Sequence, residues 1–229
     1  MRQFFFKALA FLMGLGMSQA GAPHTIVWTD ALLDNDITSN GTPLSSAFNF
    51  ELGTFGSSFI PEEANLPLWR ANWKLLDTTT YNDATKYFGD QAIQNWDTDD
   101  SSWHPDVSAA PADPATSFAE GEQVYIWIYN NLDQDETTEW GVYTRTGTGA
   151  WKLPDYIGGG QPDLTQYMVM SEANATPFGG TPVGQGLGSF TSPTSEFAYQ
   201  THGFNPVPEP TGLAILGFAV LGGLARRRR

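Results

Sequence analysis

Short apolar and aromatic runs separated by turn residues are the feature that most restricts the fold of this 229-residue chain. Runs of this length that alternate apolar and polar side chains, and that end at Gly, Pro, Asn or Asp, are typical of half-buried strands. They predict a mainly β fold, built as a β-sandwich-like antiparallel domain. No internal repeat is present, which excludes solenoids and propellers. The predicted strands are residues 24–30, 47–52, 124–129, 139–144, 166–170 and 196–200.

One segment has a different period and predicts a short helix over residues 61–77. Its apolar side chains recur at helical spacing, so they would share one face. Trp69 and Trp73 are four positions apart, and we expect both to pack against the sheet. The side chains on this face are Leu66, Trp69, Trp73 and Leu76.

The charge of the chain is concentrated in its middle. Residues 21–207 hold 24 acidic and five basic residues, a net charge of −19, whereas the whole chain carries −14. A surface this acidic repels phosphate backbones and excludes nucleic acid as a partner. The chain has no cysteine, which excludes disulfides and thiolate metal sites. Its aromatic content of 14% argues against disorder.

The N-terminal residues 1–20 predict a helical secretory signal peptide. A charged stub (residues 1–7) precedes an apolar run (residues 8–17), and small residues follow. We expect signal peptidase to cut between Ala20 and Gly21. Cleavage after Ala22 also fits the small-residue rule, but it leaves proline as the first residue. The alternative of a retained anchor is weak, because an apolar run of about ten residues is half the ~20 that span a bilayer.

The C-terminal residues combine three features in a fixed order. A triplet of Pro208, Glu209 and Pro210 is followed by an apolar run over residues 212–225 and then by Arg226, Arg227, Arg228 and Arg229. A helix of this length reaches only ~21 Å, but a thinned bilayer and snorkelling arginines allow it to cross as a single transmembrane helix. The arginines keep that end in the cytoplasm by the positive-inside rule. The acidic residues then lie on the far side, in agreement with a signal peptide.

These three parts resemble the PEP-CTERM sorting family, over residues 206–229. The resemblance implies that a membrane enzyme, an exosortase, recognises Pro208, Glu209 and Pro210 and cuts nearby. It also implies that residues 212–225 are a transient span of the inner membrane and that the four arginines stop transfer. The periplasmic domain, residues 21–205, would then pass to the cell surface or to an exopolysaccharide matrix. The competing interpretation is a plain tail anchor with an incidental proline-rich spacer.

A loop near the N-terminus is a candidate for Ca²⁺ binding. Oxygen-bearing side chains stand at alternate positions, as in loops that wrap around calcium. The pattern departs from the EF-hand rule, since Ser39 replaces its glycine and Ser45 its bidentate glutamate. An acidic turn between strands is the favoured interpretation, and the acidic runs 97–100 and 133–136 are weaker candidates of the same kind. The candidate ligands are Asp34, Asp36, Thr38 and Asn40.

Two of the eight tryptophans are candidates for stacking on sugar rings. Trp96 and Trp103 lie in a polar, acidic stretch, residues 95–106, which predicts an exposed loop. The other tryptophans that we weighed sit in apolar alternation and are expected in the core. These are Trp28, Trp69, Trp73, Trp127 and Trp140.

No catalytic motif stands out. The chain has no Gly-x-Ser-x-Gly elbow, phosphate loop or dinucleotide fingerprint, and its histidines are His24, His104 and His202. The sequence predicts an exported surface or matrix protein that is not an enzyme and needs no cofactor. A carbohydrate-binding module or a polysaccharide hydrolase with an unidentified pair of carboxylates is the alternative. A deep cleft with two convergent carboxylates would favour the hydrolase.

Overall fold

The computed structural model describes residues 23–30, 36–106, 112–135, 137–158, 164–179 and 199–204. Within these residues the protein is mainly β, as the sequence predicts. The predicted signal peptide and sorting signal lie outside the described residues. The strands are β1 (His24–Thr29), β2 (Asn49–Thr54), β3 (Lys74–Thr80), β4 (Gly89–Asp97), β5 (Ser102–Pro105), β6 (Val124–Tyr129), β7 (Glu139–Thr144), β8 (Leu164–Val169), β9 (Ala175–Phe178) and β10 (His202–Gly203).

The described strands form two sheets. The larger sheet has the order β10-β7-β6-β2-β3, with β9 also paired to β7, and its pairs are antiparallel. The smaller sheet has the order β5-β4-β1-β8, and its β1–β8 pair is parallel. The prediction of an antiparallel domain is therefore wrong for this pair. A parallel pair needs a long crossover, and here four strands of the larger sheet, β2, β3, β6 and β7, lie within the chain that connects β1 to β8.

Three strands of the larger sheet, β2, β6 and β7, lie close to their predicted bounds, whereas β3, β9 and β10 were not predicted as strands. β6 and β7 begin and end at the predicted residues, and β2 is shifted by two residues. In the smaller sheet, β1 ends one residue early, and β8 covers most of the predicted segment 166–170. Of the predicted strand 196–200, only its last two residues are described, and Gln200 forms an isolated bridge with Ile37.

The predicted helix is wrong in its second half. A 3₁₀ turn (Glu63–Leu68) leads into α1 (Trp69–Asn72), and the chain is already extended at Trp73, with φ −77° and ψ 128°. Strand β3 follows and ends in three threonines, which are β-branched and favour strands. A second short 3₁₀ turn (Met170–Glu172) follows β8. No described helix has the length and apolar character required to cross a membrane.

An apolar cluster fills the space between the two sheets, and we call it the inner core. The ring of Phe88 stacks on Phe50 of β2 at 4.2 Å between centroids. The ring of Trp28 on β1 lies 5.7 Å from that of Phe88. Residues of both sheets are fully buried here, so the sheets pack on each other through this cluster. Its members include Ile26, Trp28, Phe50, Leu52, Phe88, Ala92, Trp96, Trp103, Ile126, Ile128 and Met168.

A second cluster covers the opposite face of the larger sheet, and we call it the outer aromatic cluster. Residues 60–73, called the cover segment, lie over it and insert Trp69 against the rings of Trp127 (6.0 Å) and Trp140 (6.3 Å). Trp73 lies 5.2 Å from Trp127. The expectation that both tryptophans pack on the sheet is confirmed. The buried members are Phe55, Trp69, Trp127, Tyr129, Trp140, Val142 and Phe178, with Phe59, Leu66, Trp73, Tyr125, Leu132 and Phe204 partly buried around them.

Candidate functional site

The acidic stretch that the sequence predicts as a loop is a hairpin of β4 and β5. Trp96 and Trp103 are directly opposite each other in this hairpin, with their rings 5.2 Å apart. Trp103 is fully buried and donates from Nε1 to the carbonyl of Pro154, while Trp96 is 8% exposed and stacks on Tyr156 at 4.6 Å. The prediction that these tryptophans are exposed is wrong. Strand pairing turns both rings inward and leaves the acidic side chains in the turn.

The turn of this hairpin brings together Asp97, Asp100 and His104. One ligand atom from each residue lies within 4.8 Å of the others. The two aspartates are exposed and His104 is half-buried. The sequence shows the acidic run and the histidine separately, and only the chain reversal between β4 and β5 makes them neighbours.

The orientation of the His104 ring is set from outside this group. Its Nδ1 lies 3.1 Å from the carbonyl oxygen of Pro114, and a carbonyl can only accept, so Nδ1 carries the hydrogen in this bond. Its Nε2 lies 2.9 Å from Asp100 Oδ2 and 2.9 Å from Ser102 Oγ. A histidine held by Nδ1 to a backbone carbonyl, with Nε2 facing carboxylates, is arranged as metal-binding histidines usually are.

Ser102, His104 and Asp100 do not form a nucleophile relay. In such a relay the serine and the aspartate bind opposite nitrogens of the imidazole. Here both face Nε2, and the Ser102 hydroxyl donates to Asp100 Oδ1 at 2.6 Å. That bond, with a smaller contribution from His104, holds the pKa of Asp100 below its usual value. The hydrogen of the Ser102 hydroxyl is therefore engaged by a carboxylate, and Asp100 does not orient the ring from Nδ1 as a relay requires.

The hairpin turn has the donor set of a divalent-cation site. It offers one imidazole nitrogen, two carboxylates and a hydroxyl. This set suits Zn²⁺ or Mn²⁺ better than it suits Ca²⁺, which prefers ligands that are all oxygen. The candidate ligands are Asp97, Asp100 and His104, with Ser102 beside them.

The calcium loop that the sequence suggests is only partly described. Asp34 lies outside the described residues. Asp36 is fully buried, and its charge adds to burial in raising the pKa of Tyr143. The side-chain oxygen of Asn40 accepts hydrogen bonds from Thr38 Oγ1 (2.7 Å) and from the backbone amide and hydroxyl of Thr42. Calcium binding at this loop stays a prediction, and the oxygen of Asn40 is already engaged within the turn.

Two buried glutamates are paired with basic side chains. Glu51, beneath the cover segment, accepts from Arg70 Nη1 at 2.9 Å and from the Tyr129 hydroxyl at 2.6 Å. Glu122 accepts from Lys74 Nζ at 2.9 Å. Buried carboxylates with such partners are typical of structural ion pairs, because an unpaired buried charge is costly.

Asp77 on β3 has a different environment, at the inner core. It accepts a hydrogen bond from Trp28 Nε1 at 2.7 Å, which joins the two sheets. Burial raises the pKa of Asp77 to about 6, against the lowering effect of the Trp28 bond, and the charge of Asp90 adds to the rise. This carboxyl group therefore titrates close to neutral pH.

The last described residues, 199–204, form an exit segment that is held firmly to the fold. The backbone of Ile37 donates to Tyr199 and accepts from Thr201, at 2.8 and 3.0 Å. The Tyr143 hydroxyl donates to the carbonyl of Gln200 at 2.6 Å. The short strand β10 then pairs with β7. The last described segment thus lies at the edge of the larger sheet.

Phe204 ends this segment inside the outer aromatic cluster. Its ring lies 4.7 Å from that of Trp140 and 5.1 Å from that of Phe178, and its amide donates to the carbonyl of Thr138. Pro208 follows only four positions later in the sequence. The last described residue therefore lies four positions before the predicted sorting triplet.

Comparison with known proteins gives a match for this terminal region. The family model for the PEP-CTERM protein-sorting motif matches residues 206–229. The match includes Pro208, Glu209, Pro210 and the four terminal arginines. Neither the curated proteins nor the solved structures contain a match to the chain. The motif implies export, a membrane-anchored intermediate and processing by an exosortase. The chain is therefore an exported protein that carries a PEP-CTERM sorting motif at residues 206–229.

Proposed function

We propose that this protein is a non-catalytic component of the cell surface or of an exopolysaccharide matrix, which an exosortase releases from the inner membrane. The observation that carries the proposal is the match of the sorting motif to residues 206–229, directly after Phe204, the last described residue, which packs on Trp140. The sorting motif is a substrate feature, so the processing chemistry belongs to the partner enzyme.

The two ends of the chain support one orientation in the membrane. A signal peptide over residues 1–20, cut between Ala20 and Gly21, would carry the domain across the inner membrane. The arginines at residues 226–229 would stay in the cytoplasm. The domain would then fold in the periplasm, where its net charge of −19 over residues 21–207 favours hydration and keeps copies apart.

The environment of the polar groups supports a non-catalytic domain. Ser102 and His104 are within hydrogen-bond distance, but they do not form a catalytic triad with Asp100, because the serine and the aspartate lie at the same imidazole nitrogen. The buried Glu51 and Glu122 are paired with cations. The carbohydrate-binding alternative relied on exposed rings at Trp96 and Trp103, and both are buried. A hydrolase that uses an unidentified carboxylate pair stays as the alternative.

The sorting step can be tested in the native host with Glu209→Gln and with a variant that lacks residues 226–229. Unmodified protein should be recovered outside the membrane fraction, with an intact mass that starts at Gly21 and ends near Pro210. Both variants should stay in the membrane fraction. The matched control is Glu63→Gln, which removes one exposed negative charge from the domain and should leave release unchanged. Normal release of both C-terminal variants would contradict the proposal.

A second candidate function is divalent-cation binding at the β4–β5 turn. The fixed His104 ring beside Asp97 and Asp100 favours it. Calorimetric titration of full-length protein in detergent with Mn²⁺ or Zn²⁺ should give about one equivalent per chain. His104→Gln should abolish that binding, while His202→Gln, a change at an exposed histidine elsewhere, should not. Equal binding by both variants would exclude the site.

A further inference from the structure

The distance from the fold to the membrane is limited by the short connection after Phe204. Seven residues, 205–211, separate Phe204 from the apolar run that begins at Gly212. The eight Cα–Cα steps extend to at most ~29 Å. A domain of this size is roughly 40 Å across. When residues 212–225 are inserted in the bilayer, the face of the domain that carries Phe204 must therefore lie near the lipid.

That face also carries exposed apolar side chains. Among the described residues, four large hydrophobic side chains are mostly exposed: Ile60 (72%), Leu68 (54%), Ile157 (72%) and Tyr167 (64%). Two of the four, Ile60 and Leu68, belong to the cover segment. An exposed apolar side chain has no stabilising partner in water, and it gains one at a membrane interface.

Leu68 is linked to the exit point through adjacent aromatic rings. It directly precedes Trp69, whose ring lies 6.3 Å from that of Trp140. Trp140 in turn lies 4.7 Å from Phe204. Leu68 and the point of exit therefore sit on the same face of the larger sheet.

Ile60 is tied to the same group of rings through Asn65. The Asn65 amide donates from Nδ2 to the carbonyl of Ile60 at 2.9 Å, and its Oδ1 accepts from Trp69 Nε1 at 2.6 Å. The backbone amide of Glu62 donates to the same oxygen. These bonds tie Ile60 to Trp69, the residue that follows Leu68, within the cover segment above the outer aromatic cluster.

We infer that, in the membrane-anchored precursor, the cover segment rests on the phospholipid headgroup region through Ile60 and Leu68. The inference relies on the anchored intermediate of the proposed function and adds which surface faces the bilayer. The short tether supplies most of the driving force, because it keeps this face at a high effective concentration near the lipid. The contact is then lost when the exosortase removes the anchor.

The charges on this face specify the kind of lipid. Glu62 and Glu63 are exposed beside Ile60, and the domain as a whole is strongly acidic. Anionic headgroups would repel it, so the occupant that fits is a zwitterionic surface. We expect the contact to be closer on phosphatidylcholine vesicles than on vesicles rich in phosphatidylglycerol.

The absence of cysteine in the chain permits a direct test. Ile60→Cys, Leu68→Cys and Tyr167→Cys would each be labelled with one fluorophore in the full-length protein and reconstituted in phosphatidylcholine vesicles with nitroxide-labelled headgroups. Tyr167 is the matched control, because it is similarly exposed but lies on β8 of the smaller sheet, beyond the inner core. Quenching should be several-fold stronger at positions 60 and 68 than at 167.

A lengthened tether provides a second measurement on the same labels. A flexible Gly-Ser insertion of about 20 residues between Phe204 and Pro208 lowers the effective concentration of the face and should reduce quenching at positions 60 and 68. Equal quenching at all three positions, or no effect of the insertion, would overturn the inference. The assay contains no exosortase, so failure of the sorting proposal would appear only in the release experiment with Glu209→Gln.

Discussion

The two faces of the larger sheet are both buried, but they are covered in different ways. Along β6 the side chains alternate between the clusters: Ile126 and Ile128 enter the inner core, whereas Trp127 and Tyr129 enter the outer aromatic cluster. The inner face is covered by a second sheet with regular pairing. The outer face is covered by the cover segment, which contains a 3₁₀ turn that includes Pro67 and a single turn of α-helix, α1. A strand buried on both faces appears in the sequence as a nearly continuous apolar run.

The difference in cover predicts a difference in stability. Inner-core side chains are fully buried between two sheets, so their loss affects the whole fold. The rim of the outer aromatic cluster is partly exposed at Phe59, Trp73 and Phe204. A short cover with few regular hydrogen bonds can open without unfolding the strands beneath it. The two clusters should therefore respond differently to equivalent substitutions.

The largest expected effect is that of Phe50→Ala in the inner core. Phe50 is fully buried and stacks on Phe88, so its truncation should lower the free energy of unfolding by about 3–5 kcal/mol. The matched change on the outer face is Phe59→Ala, at a partly buried ring 5.6 Å from Phe55. It should cost about 1–2 kcal/mol, because less apolar area is lost. Denaturant unfolding of the two variants measures both, and equal costs would contradict the distinction.

The buried carboxyl groups on the two faces should also differ in how they change the stability of the fold with pH. Glu51, on the outer face, is paired with Arg70, whereas Asp77, at the inner core, has a neutral donor in Trp28. Burial raises the pKa of Asp77 to about 6 from an ordinary 3.8. Its protonated form therefore stabilises the fold below pH 4, and this contribution is lost as the pH rises through 6.

Asp77→Asn should remove this dependence. Between pH 4 and 7 the stability of the unmodified protein relative to the variant should fall by up to about 3 kcal/mol, since each pKa unit corresponds to ~1.4 kcal/mol. Unfolding measured at several pH values provides the difference. Glu63→Gln controls for the loss of one negative charge, and its difference in stability from the unmodified protein should not change with pH. If the difference for Asp77→Asn did not change with pH either, the Asp77 carboxyl would titrate alike in the folded and unfolded chains and the prediction would be wrong.

His24 should act in the opposite direction. It is buried at the start of β1, and burial lowers its pKa to about 4 although a hydrogen bond to Gln166 opposes the shift. The fold therefore favours neutral His24, and its contribution is lost as the pH falls from 6.5 to 4. His24→Gln should remove an acid-induced loss of up to about 3 kcal/mol. Because this loss and the gain from Asp77 share one pH range, we expect the unmodified protein to show little net dependence there. His24→Gln should therefore gain stability relative to the unmodified protein as the pH falls from 6.5 to 4, and the same pH dependence in both proteins would argue against a buried neutral ring.

The sequence predicts β6 and β7 better than β4 and β5, for a physical reason. β6 and β7 are apolar on both faces, so their signal is strong over six residues. In β4 the inward positions include Gln94, a polar side chain that is fully buried, which weakens the alternation. β5 is short, and Trp103 is buried partly through a bridge to Phe118, a contact between segments that no local pattern indicates.

The errors in the sequence analysis have local causes too. Trp69, Trp73 and Leu76 fit a helical face by spacing, but Leu76 is an inner-core residue of β3. The three-residue cluster at the β4–β5 turn was not predicted, because Asp97 and His104 become neighbours only when the hairpin forms. The sorting motif needed no tertiary context, since a processing enzyme recognises it as an extended sequence. Linear signals can therefore be inferred from sequence more readily than sites that depend on chain reversal.

Asn65→Ala has the smallest expected effect. It tests most directly whether the cover segment can open while the two packed sheets stay folded. The variant removes the bonds from Asn65 to Ile60, Glu62 and Trp69, and we expect a cost of about 1–2 kcal/mol. The loss should be confined to the cover segment. Amide hydrogen exchange there should accelerate roughly tenfold, as ~1.4 kcal/mol implies.

The matched control for this change is Asn72→Ala, which removes a single bond to the carbonyl of Leu68. Its effect on exchange in the cover segment should be smaller. In both variants the amides of β2 and β6 should keep their protection, because they unfold only with the inner core. If Asn65→Ala accelerated exchange equally in β6, the cover segment and the inner core would form one cooperative unit. The exposed Ile60 and Leu68 would then lie on a surface as stable as the sheets themselves.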